Sequence, residues 1–255
     1  MIYKASWSNR FEVKPDRWVY NPTPESRTLG QQINKLLNKS WKKPSYYYHL
    51  RNGGHVEALN IHLENLYFAT IDISDFFGNI SRSRITRSLK PITGYENARK
   101  IAKLSTVKAS KNYPHSHHLP YGFNQSPILA SMCLFDSTLG KYLDQLSKSE
   151  KVRVSVYMDD IVISAQDDEL LNKVFDEILV AAEKSKFVLS EEKTKPVAMQ
   201  TEAFNIVITH GNMKVEYDRF IKFQHAYSAS DSEAQRHGIG SYVGSVNKAQ
   251  AKLLI

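Results

Sequence analysis

Three aspartates have the type and setting that metal-dependent phosphoryl chemistry requires. Asp159 and Asp160 lie between two runs of β-branched residues within 152–165, and Asp72 ends the apolar run at 66–72. Two adjacent carboxylates at the tip of a hairpin repel each other and resist ionising when water is excluded. A divalent cation bound there would offset this repulsion. The pattern therefore predicts a metal site.

The chemistry expected of such a site is nucleotidyl transfer. Mg²⁺ prefers oxygen ligands and is usually held by one or two carboxylates together with substrate phosphates. Two such ions, roughly 3.5–4 Å apart, stabilise the attacking and leaving oxygens of an in-line displacement. Taken singly, an Asp-Asp turn is more often a solvated hairpin tip, and an aspartate at a strand end is more often a turn residue. The ordered set of three favours the metal site.

The elements that must position these residues follow from periodicity and turn chemistry. The segments on both sides of the aspartates alternate between strand-like and helix-like patterns without a parallel repeat, which predicts an α+β fold. We expect a buried strand over 66–73, a hairpin around Asp159, a helix capped by Ser126 that runs to Leu146, and an amphipathic helix over 170–182. Further expected elements are a helix over 29–43, a tight hairpin turned at 51–54, a strand over 204–208, a hairpin at 211–212 and a helical tail from 218.

Composition limits the class of protein. The 255 residues have a hydrophobic fraction of 42%, a net charge of +8 and a pI of about 9.3. A basic excess favours an anionic partner, most often nucleic acid, although a merely soluble basic surface fits the charge equally well. The single cysteine, Cys133, excludes a disulfide framework. The sequence contains neither a signal-peptide pattern nor an apolar run that could span a membrane. We expect a cytoplasmic protein.

Four segments, in order, resemble the palm motifs of reverse transcriptases, particularly the compact bacterial kind found in retrons and phage-defence systems. They are 70–80 (TIDISDFFGNI), 119–127 (LPYGFNQSP), 157–160 (YMDD) and 189–195 (LSEEKTK). The resemblance implies a right-hand polymerase fold with fingers, a palm and a short α-helical thumb. It assigns 1–65 to an N-terminal and fingers region, 66–203 to the palm with inserted fingers helices, 204–217 to a primer-grip hairpin and 218–255 to the thumb.

The resemblance also implies catalytic roles. Asp72 and Asp159 would ligate both of two Mg²⁺ ions, with Asp160 assisting and with Ile73 contributing its backbone carbonyl. Lys193 would approach the triphosphate, as a general acid toward pyrophosphate or, alternatively, as an ordinary surface lysine.

A second implied set of residues binds the incoming nucleotide. Phe77 would lie under the sugar and leave no room for a 2′-hydroxyl, which favours deoxynucleotides. Tyr121 replaces the glutamine that the family usually has in its second motif, and an aromatic ring cannot supply the same amide contacts. Gly122 and Ser126 belong to the same motif. The basic residue expected after the glycine pair of the fingers is missing, which makes Arg51 the nearest candidate for a triphosphate contact.

Nucleic acid is the third implied ligand. Tyr157 and Met158 of the third motif are expected to contact it. Trp41 lies in a basic cluster and is expected either to stack on a base while the lysines contact phosphates, or to anchor a surface helix in the core. The residues of this cluster are Lys39, Trp41, Lys42 and Lys43. The run at 115–118 contains three histidines and is predicted to be a polar loop rather than a metal site.

The implied function is RNA-directed DNA synthesis from dNTPs on an RNA template, with a DNA product. By family analogy alone, the template is a noncoding RNA, the setting is bacterial antiviral defence, and the further partners are a companion effector protein and a second copy of the chain. Three alternatives stay open: a template-independent nucleotidyl transferase, a catalytically silent RNA-binding scaffold, and a palm-type nucleotidyl cyclase. The last lacks its expected Gly-Gly-Asp-Glu-Phe hairpin.

Overall fold

A computed structural model describes residues 4–15 and 17–254. The chain forms two compact units. The first unit comprises Met1–Pro44, Ile73–Gln145 and Ile178–Leu189, and the second comprises Ser45–Asp72, Leu146–Glu177 and Ser190–Ile255. The fingers, palm, primer-grip and thumb ranges expected from the sequence stay predictions, and Ile255 of the expected thumb lies outside the described residues.

The second unit is built on an antiparallel four-stranded sheet with the order β6-β7-β3-β8. Its strands are β3 (Tyr67–Asp72), β6 (Val152–Tyr157), β7 (Asp160–Ala165) and β8 (Lys195–Ala198). All residues of β3 after Tyr67 are buried, and five of the six residues of β7 are buried. The predicted strand and the predicted hairpin are therefore confirmed.

A second sheet and the C-terminal helices complete this unit. The sheet has the order β11-β10-β9, and the unit also contains the short helix α2. The bounds are α2 (Gly54–Asn60), β9 (Gln200–Ala203), β10 (Ile206–Thr209), β11 (Asn212–Val215), α8 (Tyr217–Ala229), α9 (Glu233–Val246) and α10 (Lys248–Ala251). These elements share one apolar core with the first sheet, which includes Leu59, Phe68, Val162, Ile206, Phe220 and Val243. Complete burial of each large side chain contributes roughly 1.5–3 kcal/mol.

The first unit is mainly helical and contains two small antiparallel hairpins. Its elements are β1 (Trp7–Lys14), β2 (Arg17–Pro22), α1 (Pro24–Ser40), α3 (Arg82–Thr93), α4 (Tyr95–Leu104), β4 (Val107–Lys108), β5 (His117–His118), α5 (Ser126–Phe135) and α6 (Thr138–Leu146). Helix α7 (Asp168–Lys184) begins in the second unit. None of the helices in 4–15 and 17–254 is both long and apolar enough to cross a membrane.

The tight hairpin predicted at 51–54 is wrong. Residues Tyr48–Leu50 form a single 3₁₀ turn, and the glycine pair leads into α2. Gly53 and Gly54 have φ of +98° and +61°, values that favour glycine. The carbonyl of Gly53 accepts a hydrogen bond from the Glu57 N–H. The positive-φ pair therefore opens a helix instead of closing a β-turn.

The single helix predicted from Ser126 to Leu146 is also wrong, because it is interrupted between α5 and α6. The hydroxyl of Ser137 accepts a hydrogen bond from the Gly140 N–H at 3.1 Å, which starts a new helix. Ser126 does not cap α5: its hydroxyl donates to the Pro120 carbonyl at 2.7 Å, and Gln125 takes the cap position.

Other boundaries differ by a few residues. Helix α1 begins at Pro24, where Thr23 caps it, and it ends at Ser40 rather than at residue 43. The strand predicted over 204–208 is shifted to β10, because residues 204 and 205 form the preceding turn. The loop predicted at 115–118 contains the short strand β5.

Candidate active site

The three aspartates meet at one end of the four-stranded sheet. Strand β3 pairs with β7 so that Asp72 lies directly opposite Asp160. Strands β6 and β7 are joined by a two-residue turn, Met158 and Asp159, which places Asp159 next to this pair. Side chains of directly opposed residues project from the same face of a sheet. The register therefore brings together carboxylates that are 88 positions apart in the chain.

The turn that carries Asp159 is held in an unusual backbone conformation. Met158 has φ of +61°, although a side chain at positive φ is disfavoured. Two-residue hairpin loops need such values, and glycine or asparagine usually supplies them. The N–H of Met158 donates to Nδ1 of His49 at 2.9 Å. Burial lowers the pKa of His49 to about 4, so the ring is neutral and Nδ1 can accept this bond.

The carboxylates repel one another strongly. Asp72 is only 4% exposed. Burial, then Asp159, then Asp72 raise the pKa of Asp160 to about 7, against an opposing effect of Lys193. The ammonium of Lys193 donates to Oδ2 of Asp72 at 2.9 Å. This hydrogen bond is the main reason that the pKa of Lys193 is raised.

The donor set fits a hard divalent cation by its chemistry. Three carboxylates face a single ammonium, and carboxylate oxygens are the ligands that Mg²⁺ prefers. Within 4–15 and 17–254, however, no group of three or more His, Cys, Asp or Glu side chains is arranged closely enough to hold a metal by itself.

An aromatic group supports the hairpin at Tyr157. The ring of Tyr157 packs edge-on against His49, His55 and Phe204, with centroid distances of 5.8, 6.0 and 5.4 Å. Phe204 belongs to the β9–β10 turn and has φ of +58°. The turn in the predicted primer-grip segment therefore contacts the tyrosine of the aspartate hairpin.

A buried polar network ties together the two strands of the hairpin. His62 is fully buried, and its ring nitrogens bond to the hydroxyls of Ser164 and Ser155 at 2.7 and 2.9 Å. Asn65 donates to the same Ser164 hydroxyl at 2.7 Å. Burial, with a smaller effect of Arg153, lowers the pKa of His62 to about 3. The network therefore depends on a neutral histidine.

The predicted sugar gate lies in the first unit. Phe77 is 6% exposed, and its ring centroid is 4.8 Å from that of Tyr121. The guanidinium of Arg17 lies 5.3 Å from the Tyr121 ring centroid. Gly122 has φ of +94°, and a Cβ atom there would lie 2.2 Å from the Tyr20 carbonyl oxygen. The second motif therefore needs glycine at this position.

A cavity of about 280 Å³ adjoins Tyr121 in the same unit. Its lining combines cations with aromatic rings and includes Arg10, Arg17, Trp18, Tyr20, Asp75 and Tyr121. The Arg10 guanidinium lies 4.3 Å from the Trp18 ring centroid and donates to the Tyr20 hydroxyl. Sequence reasoning missed Arg10 and Arg17. The alternation of polar and apolar residues over 10–14 could have indicated the strand β1, but it gives Arg10 and Arg17 no role.

The remaining predicted residues have mainly local contacts. Arg51 donates to the Ser45 carbonyl at 2.8 Å and lies over the Tyr48 ring. Trp41 packs edge-on against Phe135, at 6.2 Å between centroids, and both rings are partly exposed. Ile73 is fully buried. Lys39 and Lys42 are exposed, and Lys43 is partly exposed. Their roles toward nucleotide, metal and nucleic acid stay predictions.

Comparison with known proteins identifies the family. Residues 16–220 match reverse transcriptase (RNA-dependent DNA polymerase), and the chain belongs to this family. The predicted class, an RNA-directed DNA polymerase domain, is confirmed at this level. A search among curated proteins finds no match.

Solved structures share the fold. A foamy viral protease-reverse transcriptase in complex with double-stranded DNA is 18% identical, with a TM-score of 0.52, and covers 91% of this chain and 34% of that chain. Telomerase from Candida albicans, in complex with a fragment of telomeric RNA, is 10% identical, with a TM-score of 0.54. The match covers 91% of this chain and 47% of the telomerase chain. Apo telomerase from Candida tropicalis is 14% identical, with a TM-score of 0.54. The match covers 77% of this chain and 40% of the telomerase chain. The chain thus spans between a third and a half of the length of these proteins.

Proposed function

We propose that the chain catalyses RNA-templated DNA synthesis by extending a 3′-hydroxyl with dNTPs. The observation that carries this proposal is the register that sets Asp72 opposite Asp160 with Asp159 in the adjoining turn. Membership of the reverse transcriptase family supports the choice of reaction. Little covalent chemistry falls to the protein in phosphoryl transfer, so the task of these residues is to position charge.

Two Mg²⁺ ions are the proposed cofactor. Asp72 and Asp159 would hold both, with help from Asp160 and from the carbonyl of Ile73. Ions in such a pair stabilise the charge that develops on the attacking and leaving oxygens. Lys193, whose ammonium already lies 2.9 Å from Oδ2 of Asp72, would donate a proton toward the departing pyrophosphate. The hydrogen bond from Met158 to His49 keeps the turn that presents Asp159 in place.

The cavity lined by Arg10 and Arg17 is the proposed site for an anionic, aromatic ligand of the nucleoside triphosphate class. Guanidinium groups match phosphate geometry, and the rings of Trp18 and Tyr121 offer flat apolar surfaces. Arg51, which was the sequence-based candidate, already donates to a backbone carbonyl of its own loop. We therefore assign the triphosphate contact to Arg10 and Arg17 instead.

The finer assignments rest on the motif resemblance. We propose a compact retron-like enzyme in the cytoplasm that copies a dedicated noncoding RNA in bacterial antiviral defence. Its partners would be that RNA, its DNA product, a companion effector protein and a second copy of the chain. Sequencing the RNA and DNA that co-purify with the protein from its native host tests this assignment. A random sample of cellular RNA would contradict it.

Incorporation of labelled dNTPs into a primed RNA template in the presence of Mg²⁺ tests the core proposal. Wild-type protein should extend the primer into a complementary copy, and Asp159→Asn should abolish extension. Asp176→Asn, an exposed carboxylate of α7, is the matched control and should extend normally. No extension by either protein would favour the RNA-binding scaffold, and extension by Asp159→Asn at the wild-type rate would contradict the catalytic role of Asp159.

One observation favours a second candidate, a template-independent nucleotidyl transferase. Tyr121 packs its ring against Phe77 and supplies no side-chain amide at the position where the family usually has glutamine. The same assay separates the two candidates when products are sequenced. A product that copies the added RNA supports the reverse transcriptase, whereas a product with the same sequence on every template supports the transferase.

A further inference from the structure

A second cavity of the first unit is lined by several cations and hydroxyl groups. Its volume is about 430 Å³. It lies between α3, the start of α6 and the end of α7, and we call it the α3–α6 pocket. Its principal lining residues are Arg84, Arg87, Lys184, Lys186, Ser137 and Thr138. None of them belongs to the aspartate site or to the cavity beside Tyr121.

Arg84 is the most constrained cation of the α3–α6 pocket. Its Nη2 donates to the Ser185 carbonyl, and its guanidinium lies 4.5 Å from the Phe187 ring centroid. Burial lowers its pKa. Among the described residues, Nη1 of Arg84 is buried without a hydrogen-bond partner. A buried donor that lacks an acceptor is destabilising, so a side-chain rotation that turned Nη1 toward the cavity would let an oxyanion satisfy it.

The carboxylate of the α3–α6 pocket is already engaged. Asp136 is its single carboxylate, and it accepts the hydroxyl of Ser88. The hydroxyl of Ser81 accepts the Arg84 N–H at the start of α3 and also bonds to Ser83. Several cations and hydroxyls thus surround a space with little negative charge. This donor excess suits a ligand rich in acceptor oxygens, and phosphate has that chemistry.

The segment of the chain that begins with α3 is strongly basic. Residues 82–111 contain nine Lys and Arg residues and one Glu, a net charge of +8 that equals the net charge of the whole chain. The exposed cations of this segment are Arg87, Lys90, Arg99, Lys100, Lys108 and Lys111. A run of cations over two helices and the strand that follows matches a chain of phosphates better than a single one.

We propose that the α3–α6 pocket binds a phosphate group of a single-stranded RNA, and that the exposed cations of 82–111 continue the contact along the strand. Arg84 and Arg87 hold the phosphate from α3, and Lys184 and Lys186 hold it from the end of α7. The choice of RNA rests on the proposed function. The site itself lies outside the catalytic residues, so binding can be measured without catalysis.

The experiment compares two double variants of the full chain that remove equal charge. Arg87→Ala with Lys186→Ala removes two pocket cations, whereas Lys151→Ala with Lys173→Ala removes two exposed lysines of the second unit. Fluorescence anisotropy with a labelled single-stranded RNA, in EDTA and without dNTPs, reports the affinity. The pocket variant should bind about tenfold more weakly, with a salt slope smaller by roughly 0.7, because the loss of one phosphate contact to a single strand lowers the slope by about that amount. The control should change less than about twofold.

Equal losses in the two double variants would overturn the proposal, because they would show that only overall charge matters. Arg84→Gln adds a test of the buried guanidinium and should weaken RNA binding to a similar degree; unchanged affinity in a folded Arg84→Gln protein would contradict its role. Inorganic phosphate and AMP serve as competitors. If phosphate and AMP displace RNA only at millimolar concentrations, the ligand is a strand rather than a small molecule. The proposal would be overturned if phosphate or AMP bound at micromolar concentration and the pocket variant bound RNA as tightly as wild type.

Failure of this proposal is distinguishable from failure of the proposed function. Primer extension on a short primed template, at saturating template, depends on Asp159 and does not require the α3–α6 pocket. We expect the pocket variant to extend that template at the wild-type rate while its affinity for long single-stranded RNA falls. An inactive wild-type protein that still shows the affinity difference would remove the proposed function and leave the RNA site standing.

Discussion

Nδ1 of His49 accepts a hydrogen bond from the backbone N–H of Met158 at 2.9 Å. Met158 is the residue with φ of +61° that immediately precedes Asp159. A side chain in this region costs roughly 1–2 kcal/mol and persists only when its surroundings hold it there. The hydrogen bond is one such constraint. We infer that His49 positions the aspartate turn without contacting substrate.

Replacement of His49 by phenylalanine keeps a ring but removes the acceptor. We expect kcat of primer extension to fall about 10- to 100-fold, because displacement of a reacting group by about 1 Å can cost a factor of 10². The KM for dNTP should change less than about twofold, since the nucleotide contacts are elsewhere. Steady-state kinetics on a primed template provides both constants.

His49→Asn is the matched control for this prediction. Its side-chain amide can place an oxygen near the position of Nδ1 and accept the same N–H. Activity should recover to within about threefold of wild type. If His49→Phe is as active as wild type, or if the asparagine variant is no better than phenylalanine, the hydrogen bond has no positioning role.

Asp160→Asn should separate stability from activity. Asp72, Asp159 and Asp160 face a single ammonium, so removing one carboxylate relieves like-charge repulsion. In EDTA we expect Tm to rise by about 2–6 °C, corresponding to roughly 1–2 kcal/mol in a chain of this size. Added Mg²⁺ should raise Tm in wild type and much less in the variant, because a bound ion stabilises the folded state. Primer extension should fall.

Differential scanning fluorimetry with and without Mg²⁺ measures these shifts. Asp176→Asn, an exposed carboxylate of α7, is the control, and it should leave both the EDTA and the Mg²⁺ values near wild type. A lower Tm for Asp160→Asn in EDTA would show that its hydrogen bonds outweigh the repulsion.

The aspartate hairpin could be predicted from sequence because its signal is local. Alternating β-branched residues on both sides of Asp159 define two strands and a two-residue turn. The same holds for the strand that ends at Asp72. The register between them is non-local, since nothing in either segment specifies that Asp72 lies opposite Asp160. Only the order of motifs along the chain supplied that expectation.

The missed features depend on contacts that local patterns do not encode. Strand β1 presents mostly exposed side chains, so its sequence resembles a polar segment. Gly53 and Gly54 fit a turn or a helix start equally well, and tertiary packing selected the helix. His49 has no motif around it, and its role becomes visible only through the Met158 N–H. Long-range backbone contacts of this kind lie beyond reasoning from periodicity.

Acid should weaken the fold through His62. Its pKa is lowered from 6.5 to about 3 by burial, so the unfolded chain binds a proton below pH 6.5 that the folded chain does not bind until about pH 3. The stability that this histidine contributes is therefore complete above pH 6.5 and decreases as the pH falls toward 3. At pH 5 the loss should be about 2 kcal/mol. His49, whose pKa is also lowered, acts in the same direction.

Urea denaturation at pH 7.5 and pH 5 measures the difference. His62→Gln should unfold at lower urea than wild type at pH 7.5, because Ser155 and Ser164 lose a fitted partner. It should also lose less stability between the two pH values. His225→Gln, an exposed histidine of α8, should keep the wild-type pH dependence. Equal pH dependence in His62→Gln and wild type would assign the acid sensitivity to other groups.

Phe77 and Phe76 are adjacent buried rings that should respond differently to truncation. Phe77 contacts Tyr121 and Phe76 contacts Phe187 at 6.0 Å between centroids, and the two phenylalanine rings lie 5.9 Å apart. If Phe77 lies under the deoxyribose, Phe77→Ala opens space for a 2′-hydroxyl. The ratio of ribonucleotide to deoxyribonucleotide incorporation should then rise by about tenfold or more, since a steric gate discriminates by more than 1.4 kcal/mol. Phe76→Ala should lower stability by roughly 3–5 kcal/mol without changing that ratio. Single-nucleotide extension with rNTP and dNTP in competition measures it, and an unchanged ratio in a folded Phe77→Ala enzyme would remove the argument that this ring selects DNA as the product.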